Sequence, residues 1–540
     1  MSSRRAVLSA LERLAFAAEL LDDPRARAYA SAAWAVRQQK GEIEELFASG
    51  QLAELRGLGK STLAIVEDVL AGREPAALVT LSAKLPPGLF EIRKIRGLGP
   101  KKVKALWSEL GITTLGELEY ACRENRLIDL RGFGRKTQAQ VLEQIAALRD
   151  TQGKMRRDQA LSRAAGVVAA LGEARAAIAG DLRRGLELIE DLPIVTVADA
   201  IEVPAPARLV TATADGFGAA LVIATGSKAH VDALRERARQ RSLRLDESGL
   251  WRDGERVPCP EEDDVYAALG LSPTPAERRD TSVLVEVGRA LPALVRREDL
   301  RGALHNHTVA SDGAHTLSQM RAAATERGLE YLGISDHSVS AFYAKGLEVE
   351  RLAAQRDEIA RLAGEGAVLL SGVESDILEH GELDYPDEIL AGLEVVVASV
   401  HKRFAHDRAA ATARLVAAAS HPRTAIIGHP TGRLLLGRPP VSLDMEAFLD
   451  ACAESGCAVE LNANPHRLDL SAEHLVLAKE RGVLVSIAAD AHHVAELDYL
   501  AHGVSVARRA GLAAEDVLNA RSLSELRVWL AGRRPPAPPA

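Results

Sequence analysis

Two hydrophobic rhythms divide the chain. Over the first 160 residues, apolar positions recur at helical spacing among Ala, Leu, Glu and Arg and break at glycine-containing turns, which predicts short amphipathic helices. Residues 175–235 alternate strand-like runs (Leu192–Val197, Leu209–Ala212, Ala220–Ala224) with turns. Residues 240–280 read as a small mixed domain, Ser272–Glu277 as a proline-stiffened loop, and a charged helix is expected to end near Arg297. From 300 to 530 short apolar strands and longer helices alternate, the βα rhythm of a barrel or wound sheet. The last residues, Arg534-Pro-Pro-Ala-Pro-Pro-Ala540, read as a disordered tail.

A chain of 540 residues, 47% of them apolar, exceeds one core and has the material for several, which excludes disorder as the general state. No uninterrupted apolar run is long enough to span a bilayer, and Met-Ser-Ser-Arg-Arg leads into a charge-punctuated helix. A cytoplasmic protein with no membrane partner is expected. Cys122, Cys259, Cys452 and Cys457 are scattered, without zinc-finger spacing, and are expected to be reduced. The net charge of −8 conceals an asymmetry: residues 1–160 hold 26 Lys and Arg against 20 Asp and Glu, a net of +6. Fourteen of the fifteen histidines follow residue 300.

That mild basicity gains meaning from a turn repeated three times: Leu55-Arg-Gly-Leu-Gly-Lys-Ser61, Ile95-Arg-Gly-Leu-Gly-Pro-Lys-Lys102 and Leu130-Arg-Gly-Phe-Gly-Arg-Lys136. Paired glycines (Gly57 and Gly59, Gly97 and Gly99, Gly132 and Gly134) permit a tight turn that exposes N–H groups at the start of the next helix. Lys60, Lys101, Lys102, Arg135 and Lys136 add positive charge there, giving a grip on DNA phosphates that ignores base sequence. The turns resemble helix-hairpin-helix motifs, and their placement resembles the lyase-like and fingers regions of bacterial family X DNA polymerases.

The resemblance continues. Ala179-Gly-Asp-Leu-Arg-Arg-Gly185 is similar to that family's nucleotide-triphosphate turn, Phe217–Lys228 to its nucleotide-pocket segment, and Tyr266-Ala-Ala-Leu-Gly-Leu271 to its thumb. The family's two-magnesium chemistry needs an Asp-x-Asp pair and a third carboxylate on a neighbouring strand. Here the pair reads Asp191-Leu-Pro193, the third position falls at Arg208, and Asp181 stands beside Arg183 where the triphosphate serine belongs. A degenerate nucleotide site without polymerisation is therefore expected.

Past residue 300, polar residues follow apolar runs one after another: His305 and His307, Asp312, His337, Glu374, His401, His429, then Asp490 and His492. In βα barrels such strand ends form the active-site rim. The pattern resembles the PHP (polymerase and histidinol phosphatase) family over 300–530. The resemblance implies a distorted (βα)7 barrel holding three divalent metal ions. His305, His307, Glu374 and Asp490 would bind one; Glu374 would bridge to a second on His401 and His429; Asp312, His337 and His492 would hold the third. Manganese, zinc and iron all suit such donors. Clustered cations activate water and neutralise phosphoryl charge, which leaves Asp490 and His492 in the catalytic set and Arg403 and Arg433 as phosphate clamps.

The expected fold class is thus multidomain. A lyase-like all-α domain (1–80) and a fingers-like one (81–160), both with helix-hairpin-helix motifs, precede an α+β nucleotidyltransferase-like palm (161–235) and thumb (236–290). A linker (291–299), the PHP barrel (300–530) and the tail (531–540) complete it. The expected function is a DNA-repair phosphoesterase, a 3′-5′ exonuclease with possible abasic-site endonuclease and 3′-phosphatase action on gapped or nicked DNA. The alternatives are an active gap-filling polymerase with an editing PHP domain, or a small-molecule phosphatase of the histidinol-phosphatase type.

Overall fold

In a computed structural model, all residues are described except 1–2, 116–117, 119–120, 123–126, 128–129, 131–132, 151–152, 200, 290–291, 342–343, 365, 402–406, 437–439 and 534–540; side chains of residue 135 and residues 146–150 are also left undescribed. The tail expected at 531–540 therefore lies mostly outside the described residues. Two compact units result, Met1–Gln152 and Gly153–Ala540.

The first unit is helical, with Ser3–Leu20, Ala26–Arg37, Lys60–Leu70, Pro100–Leu110 and Arg135–Asp150 as its longer helices. Its turns form for the reason their glycines suggest. Gly57 and Gly97 adopt φ of +108° and +82°, where a side chain would be strained, and Gly59 and Gly99 cap the helices that follow. The residue between each glycine pair, Leu58, Leu98 or Phe133, is buried as an anchor, leaving Lys60, Lys101 and Lys136 exposed beside the helix starts. Lys102 instead lies over the Phe133 ring, its Nζ 5.3 Å from the centroid, which ties the second hairpin to the third. Gly132 lies outside the described residues.

The second unit opens at Gly153, just ahead of the segment expected as the palm. Strands β1 (Met155–Arg156) and β3 (Leu188–Ile189) pair, and β2 (Ala176–Ile178), β4 (Leu192–Thr196) and β5 (Ala207–Thr211) form a three-stranded sheet. The thumb segment adds a meander of β6 (Arg244–Asp246), β7 (Gly249–Arg252) and β8 (Glu255–Val257). Two sequence expectations need correction here. Ala220–Ala224 belongs to a helix, Phe217–Thr225, whose apolar residues are nearly all buried, so no polar face remains to reveal the helical period. Among the described residues, the segment before Arg297 forms no helix and is followed by a short turn, Arg297–Asp299; its residues are mostly exposed and have no continuous face to bury.

The remainder is a seven-stranded, all-parallel sheet: β9 (Gly302–Ala303), β10 (Tyr331–Ile334), β11 (Val368–Asp376), β12 (Val395–Ser399), β13 (Ile426–Ile427), β14 (Ala458–Asn462) and β15 (Val485–Ala488), in sequence order across the sheet. Helices between successive strands cover the outside, so most strands are buried on both faces and read as continuous apolar runs. Just past β9, Asn306 pairs in parallel with Ala491 just past β15, drawing the sheet's two ends together as a near-barrel. Because every strand runs the same way, their C-terminal ends share one rim.

Close approach of the strands leaves little room. A Cβ on Gly372 in β11 would lie 2.6 Å from the carbonyl oxygen of Val395 and 2.7 Å from that of Ile334, on the two flanking strands. Gly372→Ala is expected to force the strands apart at a cost of about 1–3 kcal/mol, read as a lowered melting temperature in thermal denaturation; an unchanged melting point would contradict this packing.

Candidate metal centre of the barrel

The barrel's geometry brings the histidines and carboxylates together. His401, His429 and Asp490 each lie two residues beyond the end of β12, β13 and β15, while Glu374 stands within the last residues of β11. Glu374 is fully sequestered and central. Its Oε1 lies 3.1 Å from His429 Nε2, 3.2 Å from His401 Nε2 and 3.3 Å from His305 Nε2; its Oε2 lies 2.9 Å from His337 Nδ1. His307 Nε2 is 3.2 Å from Asp490 Oδ1, and Asp312 lies 3.3 Å from His492 Nε2 and 3.5 Å from His337 Nε2. All nine residues singled out as metal ligands are thus in one cluster.

Three subsets have donor atoms close enough to share an ion: His307, Asp312, His337 and His492; His305, His307 and Glu374; and His337, Glu374 and His401. Buried ring nitrogens without a hydrogen-bond partner fit the same interpretation, namely His305 Nε2, both nitrogens of His307 and His429 Nδ1. Leaving such atoms dry and unpaired is expensive, and a cation satisfies them together. The donor set therefore fits a multi-metal group.

A second layer, unmarked in the sequence reading, fixes the rings. Glu460 on β14 accepts from His305 Nδ1 at 2.6 Å and from the backbone N–H of His429 at 2.5 Å. Asp376, two residues past Glu374, accepts from His401 Nδ1 at 2.6 Å. His492 Nδ1 bonds the Asp490 carbonyl at 3.0 Å. In each case Nδ1 is held by an oxygen and Nε2 is turned toward the cluster, the arrangement metal-ligating imidazoles use. The available signal was a Glu inside the apolar strand Ala458–Asn462, since a charge buried there must have a partner. Backbone is held tightly too, with φ of +25° at His429 and +50° at Asp490, a conformation side-chain-bearing residues seldom adopt.

The electrostatics follow from crowding. Burial alone would strip protons from the imidazoles, but Glu374 and Asp312 raise His337 to about 10, Glu374 and Asp376 raise His401 to about 9, and Asp312 and Asp490 raise His492 to about 9. His307 moves the other way, to about 4, through burial and its cationic neighbours His492 and His337. Despite burial, the surrounding histidines hold Glu374 and Asp490 well below the usual carboxylate range. Side-chain exposure is near zero at His305, His307 and Glu374 but 34% at Asp312 and 35% at His492, so the cluster opens to solvent on that side.

Other sequence candidates lie elsewhere. Arg403 is outside the described residues. Arg433 is turned away from a clamp role: its Nη2 bonds Glu187 of the palm segment at 2.7 Å, and its Nε donates to the Arg467 carbonyl at 2.9 Å. In the palm, Asp191 and Arg208 form a two-contact ion pair (3.0 and 2.9 Å), and Pro193 is in register with Arg208 across β4 and β5. Arg183 is bound to Glu262 at 2.7 and 2.6 Å, and Asp181 pairs with Arg184. Asp181, Arg184, Asp191, Pro193 and Arg208 border a cleft of about 430 Å³ that also includes Gly180, Ser227 and Lys228. Among the described residues, groups of three or more His, Cys, Asp or Glu able to share an ion occur only in the barrel.

Metal ions must displace protons from His337, His401 and His492, so adding Mn(II) to the metal-stripped chain at pH 7 should release about two or three protons per chain, read with a pH indicator. The pKa values are raised above the ordinary 6.5, so these histidines stabilise the metal-free fold fully below pH 6.5 and lose that contribution as pH rises through about 9–10. The melting temperature of metal-free protein should accordingly fall across that window; a flat profile with no proton release would contradict the cluster's electrostatics. Glu460→Gln should weaken metal affinity about tenfold to a hundredfold without unfolding the barrel, measured by competition with a chelating dye.

Comparison with known proteins agrees with this arrangement. A helix-hairpin-helix family model, described as a SAM-like tandem, matches residues 90–147, and the DNA polymerase beta thumb model matches residues 220–280. The DNA polymerase/3′-5′ exonuclease PolX of Bacillus subtilis (strain 168) is 32% identical over 567 aligned residues, covering 98% of this chain and 99% of that protein. Probable phosphatases of Caldanaerobacter subterraneus subsp. tengcongensis and Thermoanaerobacter sp. (strain X514) are 28% and 31% identical, covering 43% and 40% of this chain and 91% and 88% of their own lengths. No helix among the described residues is long and apolar enough to cross a membrane. With hairpins, thumb and histidine-lined barrel in one order, matched nearly end to end by one relative, the chain belongs to the PolX family, in which a family X DNA polymerase region is joined to a PHP phosphoesterase domain.

Proposed function

We propose that the chain is a DNA-processing enzyme whose hydrolytic work, 3′-5′ exonucleolysis, is done by the barrel, with His305, His307, Asp312, His337, Glu374, His401, His429, Asp490 and His492 as its metal ligands. The observation that carries this is the convergence of all nine side chains on one rim, with three overlapping subsets of donor atoms close enough to share an ion. Bound divalent ions of the manganese, zinc or iron class would supply Lewis-acid charge for water activation and phosphoryl neutralisation. The protein's own part is to orient donors through Glu460 and Asp376, to exclude water from the Glu374 side and to admit the scissile phosphate past Asp312 and His492. The relative's name, which includes 3′-5′ exonuclease, supports the same reading.

For the palm, two readings have support. The relative is also named a DNA polymerase, and its likeness extends over the whole chain, which favours a working gap-filling polymerase with an editing hydrolase. The side chains favour a palm that holds structure without transferring nucleotides, since Asp191 is neutralised by Arg208 and Pro193 offers no ligand. Sequence-independent DNA binding is assigned to the hairpins in both.

Labelled gapped DNA, incubated with and without nucleotides in the presence of manganese, separates these. Asp490→Asn should abolish shortening, by at least about a hundredfold, and leave DNA affinity nearly unchanged; shortening that persists would remove the barrel from the reaction. Template-directed extension that survives Asp490→Asn and is lost in Asp191→Asn would establish the polymerase reading. Replacing Lys101 and Lys102 by Glu should weaken DNA binding and flatten its salt dependence by roughly one unit of slope per lost phosphate contact, with turnover of a small phosphodiester unchanged.

A further inference from the structure

Arg467 stands at the metal cluster, where it is ion-paired only loosely with Asp490. Its Nε lies 3.8 Å from Asp490 Oδ2, too long for a hydrogen bond, and that oxygen already accepts from Asn462 Nδ2 at 3.0 Å. Its Nη1 is buried with no hydrogen-bond partner. A guanidinium sheltered to 19% exposure, with an unsatisfied donor and next to a site built for cations, is unfavourable unless an anion arrives to share both charges. Phosphate is such an anion: it can accept from the planar guanidinium and bridge to neighbouring metal ions.

What holds Arg467 there comes from the palm segment. Glu187, 16% exposed, accepts from Arg433 Nη2 at 2.7 Å. The same guanidinium donates through Nε to the Arg467 carbonyl at 2.9 Å and through Nη2 to the Leu468 carbonyl. Leu468 has φ of +44°, so this stretch of loop is kept in a conformation it would not adopt unaided. On the barrel side Arg433 follows the ligand His429 in His429-Pro-Thr-Gly-Arg433. Thus one palm carboxylate fixes one arginine, which fixes the backbone from which a second arginine reaches the site.

We infer that Arg467 is the phosphate-binding residue of the hydrolytic site, and that Glu187 of the palm is a positioning residue that sets it in place through Arg433. The inference rests on the hydrolase reading for the identity of the reaction, but phosphate binding can be tested without turnover. It gives the palm a function in the barrel's chemistry independent of nucleotide transfer. The partner recognised is a phosphate monoester or diester group, whether a DNA end or free phosphate.

The experiment uses the full-length, metal-loaded chain and two readouts: calorimetric binding of inorganic phosphate, and kcat and KM on thymidine 5′-monophosphate p-nitrophenyl ester. Arg467→Ala should weaken phosphate binding about ten- to a hundredfold with metal content unchanged, and added guanidinium ion should restore part of the loss. Glu187→Gln should weaken it in the same direction by a smaller factor, and the double variant should resemble Arg467→Ala alone, because the two act in series. Additive losses would overturn the positioning role of Glu187. Unchanged phosphate affinity in Arg467→Ala, or a loss explained by fewer bound metal ions, would overturn the clamp; Arg467→Lys, which keeps the charge near Asp490, should hold metal fully and separates these two causes. Arg467-dependent phosphate binding in a chain that hydrolyses neither the ester nor DNA would sustain the inference and defeat the nuclease reading instead.

Discussion

The structure of the barrel turns on one buried carboxylate. Glu374, near the end of strand β11, is cut off from water and faces five imidazoles, with no lysine or arginine ion-paired to it among the described residues. A lone carboxylate could not remain charged there. It needs cations from every side, and all-parallel strands ending at one rim supply side chains from all sides at once. The second set of carboxylates, Glu460 and Asp376, then fixes which ring nitrogen looks inward. Proton or metal ion, some positive charge must occupy the centre, and the chemistry follows from which one does.

Much of this was legible in the sequence because most of the parallel strands are short, mainly apolar and end abruptly. A histidine or carboxylate directly after such a run, as at Ser399-Val-His401 or Ala489-Asp490, has its position along the barrel axis set by the strand alone. The three hairpins were legible for a related reason: glycines in a fixed frame around a buried Leu or Phe dictate local backbone, and local backbone needs no tertiary information. By contrast the helix Phe217–Thr225 looked like a strand, since a segment buried on all sides loses its period.

Interactions between distant residues left no such trace. Glu187 and Arg433 are separated by 246 positions, and nothing near either one announces the other. The same holds for Arg157 with Ser505 (2.9 Å), Arg508 with Glu277 (2.7 Å) and Arg509 with Asp280 (2.8 Å), contacts through which palm, thumb and barrel become one compact unit. Arg433 illustrates the limit well. Its spacing after His429 suggested a phosphate contact, whereas the fold turns it to the palm, and Arg467, from a loop following β14, stands at the metal site instead. In the palm segment Asp191 and Arg208 form a half-exposed ion pair, and Pro193 is in register with Arg208 across β4 and β5.

Everything proposed for the barrel depends on metal at its centre. Elemental counting of the purified full-length chain, beside Glu374→Gln as the variant that removes the shared ligand, tests it most directly. The unmodified chain should hold more than one divalent transition-metal ion, and Glu374→Gln should show a clear loss of ions with the fold retained by circular dichroism. A chain that is folded, takes up no metal from excess manganese, zinc or iron, or holds the same number of ions with and without the Glu374 carboxylate, would contradict it.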